Sequence, residues 1–97
     1  MSSSGARRRL ADLVSVGPAT LEDFRVLGIE TVEQLAACEA NVLYESLCVA
    51  TGVRHDPCCE DVFRAAIEQA LDADLPAAQR NWWYWSRLRK SKTAQEH

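Results

Sequence analysis

At 97 residues the chain has room for one domain with a single modest core, and no apolar run reaches the length of a membrane span. The opening Met-Ser-Ser-Ser-Gly-Ala-Arg-Arg-Arg lacks the apolar segment and cleavage site of a secretory signal, so the expectation is a soluble cytoplasmic protein with no membrane partner. A formal net charge of −3 argues against a fold that is basic all over, as a general nucleic-acid binder would be.

That charge is unevenly spread. Arg7, Arg8 and Arg9 make the start positive, and residues 10–79 set three arginines against thirteen acids. From Arg80 onward, Arg80, Arg87, Arg89, Lys90 and Lys92 face only Glu96. The four cysteines, Cys38, Cys48, Cys58 and Cys59, are expected as free thiols in a reducing compartment.

In chain order, residues 1–7 are small, polar and basic without periodicity and are expected as a disordered arm. A first helix is predicted from about Arg8 to Val14, with Leu10, Leu13 and Val14 on one face. Ser15-Val16-Gly17 then makes a short hairpin, and Pro18 opens a second helix carrying Leu21, Phe24 and Leu27 inward. Gly28 is placed to end that helix, returning Ile29 to the core. Thr31-Val32-Glu33-Gln34 is a capping box, which starts a short helix over Val32 to Cys38.

Asn41 is the expected cap of a fourth helix, with Val42, Leu43, Leu47 and Val49 apolar and a stop near Thr51-Gly52. Asp56-Pro57 reads as cap and first residue of the longest helix, Pro57 to Asp72. On it Cys59, Val62, Phe63, Ala66, Ile67 and Ala70 share a side. No strand pattern appears, so the fold class is all-α: a compact bundle of about five helices over residues 8–76, with a helix-hairpin-helix motif. Leu13, Val16, Leu21, Phe24, Leu27, Ile29, Leu35, Leu47, Val62, Phe63 and Ala66 are the expected core. Residues 77–97 form an aromatic-basic segment, expected to dock in part and to end in disorder.

Three places carry candidate chemistry. The first is the hairpin, Ser15, Val16 and Gly17, with Ala19 and Thr20 just behind it. Amides at a helix N-terminus hold a phosphate without any particular side chain. Against this, Ser15 and Leu21 stand where phosphate-binding hairpins usually have glycine and alanine, and Pro18-Ala19 replaces the usual cation. A purely structural hairpin is the competing reading.

The second place is Cys48, His55, Cys58 and Cys59. Thiolate and imidazole are zinc ligands, and the first turn of a helix lowers a thiol's pKa. However, adjacent helical cysteines diverge, and the spacing matches no common zinc pattern. A reactive thiol lacks a partner such as a Cys-x-x-Cys pair. The favoured reading has Asp56 capping the helix and the cysteines filling core volume, with no metal and no cofactor.

The third place is Asn81-Trp82-Trp83-Tyr84-Trp85 followed by Ser86-Arg87-Leu88-Arg89-Lys90. Trp82, Trp83 and Trp85 would stack bases while Arg87, Arg89 and Lys90 meet phosphates. In the structural reading, Trp82 and Trp85 instead clamp this segment to the bundle.

Taken together, these residues resemble a family of small bacterial helix-hairpin-helix proteins, the pathogenicity-locus family, some of whose members are labelled mitomycin-resistance proteins. The resemblance spans Leu10 to Lys90. It rests on the Val-Gly-Pro turn, Leu27-Gly28-Ile29, Leu43-Tyr44 with Leu47-Cys48, Thr51-Gly52 with His55-Asp56-Pro57-Cys58, Phe63-Arg64 and Trp82-Trp83. It implies relatives rather than a chemistry. The expected function is non-enzymatic: weak, sequence-independent contact with the DNA phosphate backbone through the hairpin, Arg7, Arg8, Arg9, Arg87, Arg89 and Lys90, in DNA maintenance. The alternative is a protein-interaction module whose acidic body meets a basic partner and whose hairpin is scaffold.

Overall fold

Gly17 and Pro18 open the first helix of the computed structural model, which describes residues 8–95 and the side chains of residues 8–91. That helix, α1 (Pro18–Val26), ends as its sequence requires. Gly28 takes φ +79°, Ile29 N–H bonds back to Phe24 O at 2.8 Å, and Gly28 N–H bonds to Arg25 O at 3.1 Å. This is the Schellman pattern, and it turns Ile29 into the core. α2 (Val32–Ala36) begins at the expected capping box: Thr31 Oγ1 accepts from Gln34 N–H at 3.0 Å, and Gln34 Oε1 accepts from Thr31 N–H at 3.3 Å.

α3 (Ala40–Thr51), α4 (Cys58–Leu71) and α5 (Trp82–Gln95) complete an all-α fold, with no strand among the described residues. One-turn 3-10 segments lie at Leu10–Asp12 and Ala77–Arg80. No helix among the described residues is long and apolar enough to cross a membrane. The arm expected over residues 1–7, Arg7 included, lies outside the described residues, as does the side chain of Lys92.

Several expected boundaries are corrected. The Arg8–Val14 helix is only the 3-10 turn: the backbone is already extended at Leu13 (φ −78°, ψ 139°) and left-handed at Ser15 as the chain turns toward α1. Side chains three apart eclipse in that geometry, so Leu10 and Leu13 both reach the core while Val14 turns outward. The helix after Thr31 stops at Ala36, two residues short of Cys38. Asn41 is not a cap: burial of Ala40 starts α3 earlier, at N-cap Glu39. Leu43 and Leu47 are buried, whereas Val42 and Val49 face outward. Val16, Leu21, Leu27 and Val62, placed in the core by the sequence, are half-buried at its edge.

Phe24, Leu35, Leu47 and Phe63 are the largest fully buried side chains. Phe24 of α1 and Phe63 of α4 pack with ring centroids 5.6 Å apart. Each such burial stabilises the fold by about 1.5–3 kcal/mol.

α4 is the central element, packed against α2 and α3 on one side and α5 on the other. Its apolar stripe was legible. Its second buried line, Asp61, Ala65 and Gln69 at i, i+4 and i+8, was not. Onto that line α5 seats Ser86, the most buried of its described side chains, and Arg89, whose guanidinium meets the Asp61 carboxylate at 3.0–3.3 Å.

Candidate nucleic-acid interface

The hairpin is built by contacts from the far end of the chain. Ser15 sits at φ +75°, the left-handed conformation for which hairpins use glycine. A non-glycine residue there costs on the order of 1–2 kcal/mol. The Ser15 hydroxyl offsets this by donating to Arg80 O at 3.1 Å and accepting from Trp82 N–H at 3.0 Å, which serves the first amide of α5. Thus the serine at the glycine position does a second job, joining hairpin to α5.

Gln69, almost fully buried, holds the preceding residue from below. Its Oε1 accepts from Val14 N–H at 2.9 Å, and its Nε2 donates to Val14 O at 2.8 Å and to Ala65 O at 3.2 Å. Neither role was visible in the sequence.

Val16 is half-buried against the core. Gly17, the N-cap of α1, has an extended backbone (φ −104°, ψ −173°) that any residue adopts, and no side chain caps the helix. A Cβ built on Gly17 would meet no atom within 4 Å. The fold therefore does not require a glycine here. Its absent side chain leaves the amide end of α1, at Ala19 and half-buried Thr20, open to approach.

The candidate cations divide. Arg8 donates to Gln69 O at 2.7 Å and Ala70 O at 3.3 Å, a cation at the carbonyl end of α4 where the helix dipole favours it. Arg89 is bound to Asp61, and Arg9 lies 3.9 Å from Asp12 on the surface. Arg87 and Lys90 are exposed on α5.

The tryptophans divide too. Trp85 is half-buried, donating Nε1–H to Gln79 O at 2.8 Å, with Tyr84 edge-on at 5.0 Å. Trp82 is 37 % exposed and Trp83 42 % exposed, while Trp85 meets the bundle through Arg64, which lies over its ring at 5.9 Å. Arg87 lies over the Trp83 ring at 4.6 Å.

The thiol cluster does not assemble around a common centre. His55 turns its backbone toward Cys48, N–H to Sγ at 3.4 Å, while its ring Nε2 lies 2.8 Å from Thr51 Oγ1 and its carbonyl accepts from Tyr44 OH. No group of three or more His, Cys, Asp or Glu among the described residues is arranged to hold a metal.

The helix dipole does not prevail over Cys58 and Cys59 either. A hydrogen bond with Asp56 raises the Cys58 thiol above its ordinary value, with burial adding to it. Burial, followed by the charges of Asp23 and Asp56, raises that of Cys59. Asp56 itself acts as the cap. Its Oδ1 accepts from Cys58 N–H at 2.8 Å, and this bond holds its carboxyl below the usual range.

The class defined by these features is a small all-α protein with an open helix N-terminus set beside an aromatic-basic helix. A family model described as Pathogenicity locus matches residues 4–91, and the chain belongs to that family. It is 38 % identical over 87 residues to the mitomycin resistance protein McrB of Streptomyces lavendulae, a match covering 90 % of this chain and 79 % of that protein. No solved structure matches the chain.

Proposed function

We propose that this is a non-enzymatic, cytoplasmic helix-hairpin-helix protein making weak, sequence-independent contact with nucleic acid, as an accessory in DNA maintenance. A part in mitomycin resistance, the role in the relative's name, is carried over as a proposal without a chemistry. One observation supports the reading most: the amide end of α1 is uncapped and unobstructed at Gly17, where the backbone itself would accept any residue. A phosphate there gains the helix dipole and free N–H donors.

Exposed Arg87 and Lys90 add positive charge on α5, whose first amide is bonded to the hairpin serine. The rest of the body is acidic and repels a polyanion, so affinity is low. Each neutralised phosphate contributes about −0.9 to the slope of log affinity against log salt on B-form DNA.

Gly17→Asp separates fold from function. Aspartate is a good N-cap and would occupy the same amides with its own carboxylate. The variant should fold at least as well as the parent and bind DNA more weakly in a low-salt titration. Unchanged binding refutes the hairpin's part in it. A folded parent that binds neither duplex nor single-stranded DNA removes the nucleic-acid reading. In that case the protein-interaction module stands, for which Val42 and Val49, seven apart on the outer face of α3 and both exposed, are the supporting observation.

A further inference from the structure

One exposed flank of α5 combines an aromatic ring with cations. Trp83, Arg87 and Lys90, at i, i+4 and i+7, form this flank, beside the side that seats Ser86 and Arg89. Next to them an open groove of about 510 Å³ is lined by Ala78, Trp83, Tyr84, Arg87 and Leu88. Its walls are largely aromatic and aliphatic, its one charge is a guanidinium, and no carboxylate lines it. Neither Arg87 nor Lys90 has an ion-pair partner among the described residues. Arg87 is instead spread over the Trp83 ring. In a chain whose other exposed surface is dominated by acids, this is an exposed indole with Arg87 over one face and Lys90 on the same flank.

Resting on the nucleic-acid reading above, the geometry points to single-stranded nucleic acid as the occupant, its bases stacked at the Trp83 groove and its phosphates along Arg87 and Lys90. Charge complementarity selects an anionic occupant over an apolar segment, and the exposed indole selects one with planar faces over the acidic surface of a second copy's body. Aromatic exposure selects unpaired bases over duplex, because in a duplex the base faces are already covered by their neighbours. Stacking on indole does not depend on which base is offered, so the groove needs no sequence readout. Trp82, also exposed, has its own amide bonded to Ser15 at 3.0 Å, so a strand leaving the groove toward the start of α5 arrives at the hairpin.

All three tryptophans of the chain lie on α5, so their fluorescence reports this face directly. The test titrates the full chain with oligothymidylate, with a duplex of mixed sequence and with inorganic polyphosphate, which carries charge without bases. Oligothymidylate should quench the fluorescence and bind more tightly than either competitor. Trp83→Ala should weaken oligothymidylate by roughly 5- to 150-fold, the loss of one base stack, and leave polyphosphate unchanged. Trp83→Tyr should restore most of the difference.

Leu88→Glu, at an exposed position, places a carboxylate in the groove without touching the core and should weaken the single strand even if Trp83→Ala fails to fold. Binding of single strand and duplex with equal affinity, unaffected by Trp83→Ala or Leu88→Glu, overturns this inference while leaving the hairpin reading intact. Failure of all three probes to bind the folded parent overturns both.

Discussion

Replacing Gln69 with leucine tests how the hairpin is held. The substitution keeps the volume of a nearly fully buried side chain and removes its polar end. It breaks two short hydrogen bonds to Val14, at 2.9 and 2.8 Å, and two longer ones, to Ala65 O at 3.2 Å and Arg80 O at 3.4 Å. A typical intramolecular hydrogen bond contributes a net ~1 kcal/mol, more when the abandoned partner is shut off from water. Val14 is 41 % exposed, so water reaches part of its freed backbone and the loss falls toward the low end. The two strong bonds then set the expectation at about 2 kcal/mol. For a domain of this size that is a fall in Tm of roughly 8–16 °C. Urea unfolding followed by far-UV circular dichroism measures it. A loss below about 0.5 kcal/mol would refute the claim that Gln69 fastens the hairpin to α4.

Three further outcomes follow from the contacts described. Arg89→Met strands the buried Asp61 carboxylate; breaking a fully buried pair costs about 3–5 kcal/mol, and because a third of the Arg89 side chain meets water the expected loss is about 2 kcal/mol. Adding Asp61→Asn should recover part of it in the same melts. Asp56→Ala should lower the urea midpoint at neutral pH. Because the folded Asp56 pKa is depressed, its contribution is complete above the ordinary carboxylate range and lost as pH falls through the folded value, so parent and variant midpoints should converge in acid. Cys58 and Cys59, both raised, should alkylate more slowly than glutathione at pH 7 in the native protein, read by mass spectrometry; faster labelling of either would reinstate the reactive-thiol reading.

Local chemistry was legible wherever one residue settles one backbone feature. Pro18 and Gly28 bracket α1, and Thr31 with Gln34 starts α2. Asp56 caps α4, although Pro57 rather than Asp56 directly precedes its first helical residue. Residues that answer to two neighbours were not legible. Periodicity finds one face of a helix, and α4 has two, the second made of Asp61, Ala65 and Gln69, which looks like solvent-facing surface in a linear reading. α5 escaped for the complementary reason: it is seated by Ser86 and an ion pair, so no apolar stripe announces it.

At the site, the sequence located the hairpin and the aromatic-basic segment separately. It read Ser15 as a defect in a glycine pattern. In the fold that serine holds the glycine conformation and binds the other segment, a relation that only the tertiary structure displays.

The bond from Trp82 to Ser15 spans 67 positions, and Arg8 and Gln69 make others spanning 61 and 55. Closing a flexible loop of that length costs on the order of 4 kcal/mol in chain entropy beyond a constant. Contacts within α1 to α4 are mostly shorter in sequence and do not wait for it. During synthesis the two partners of the Ser15 hydroxyl do not exist until residues 80 and 82 have been made, so the hairpin, held until then by Gln69, is among the last parts of the fold to be completed.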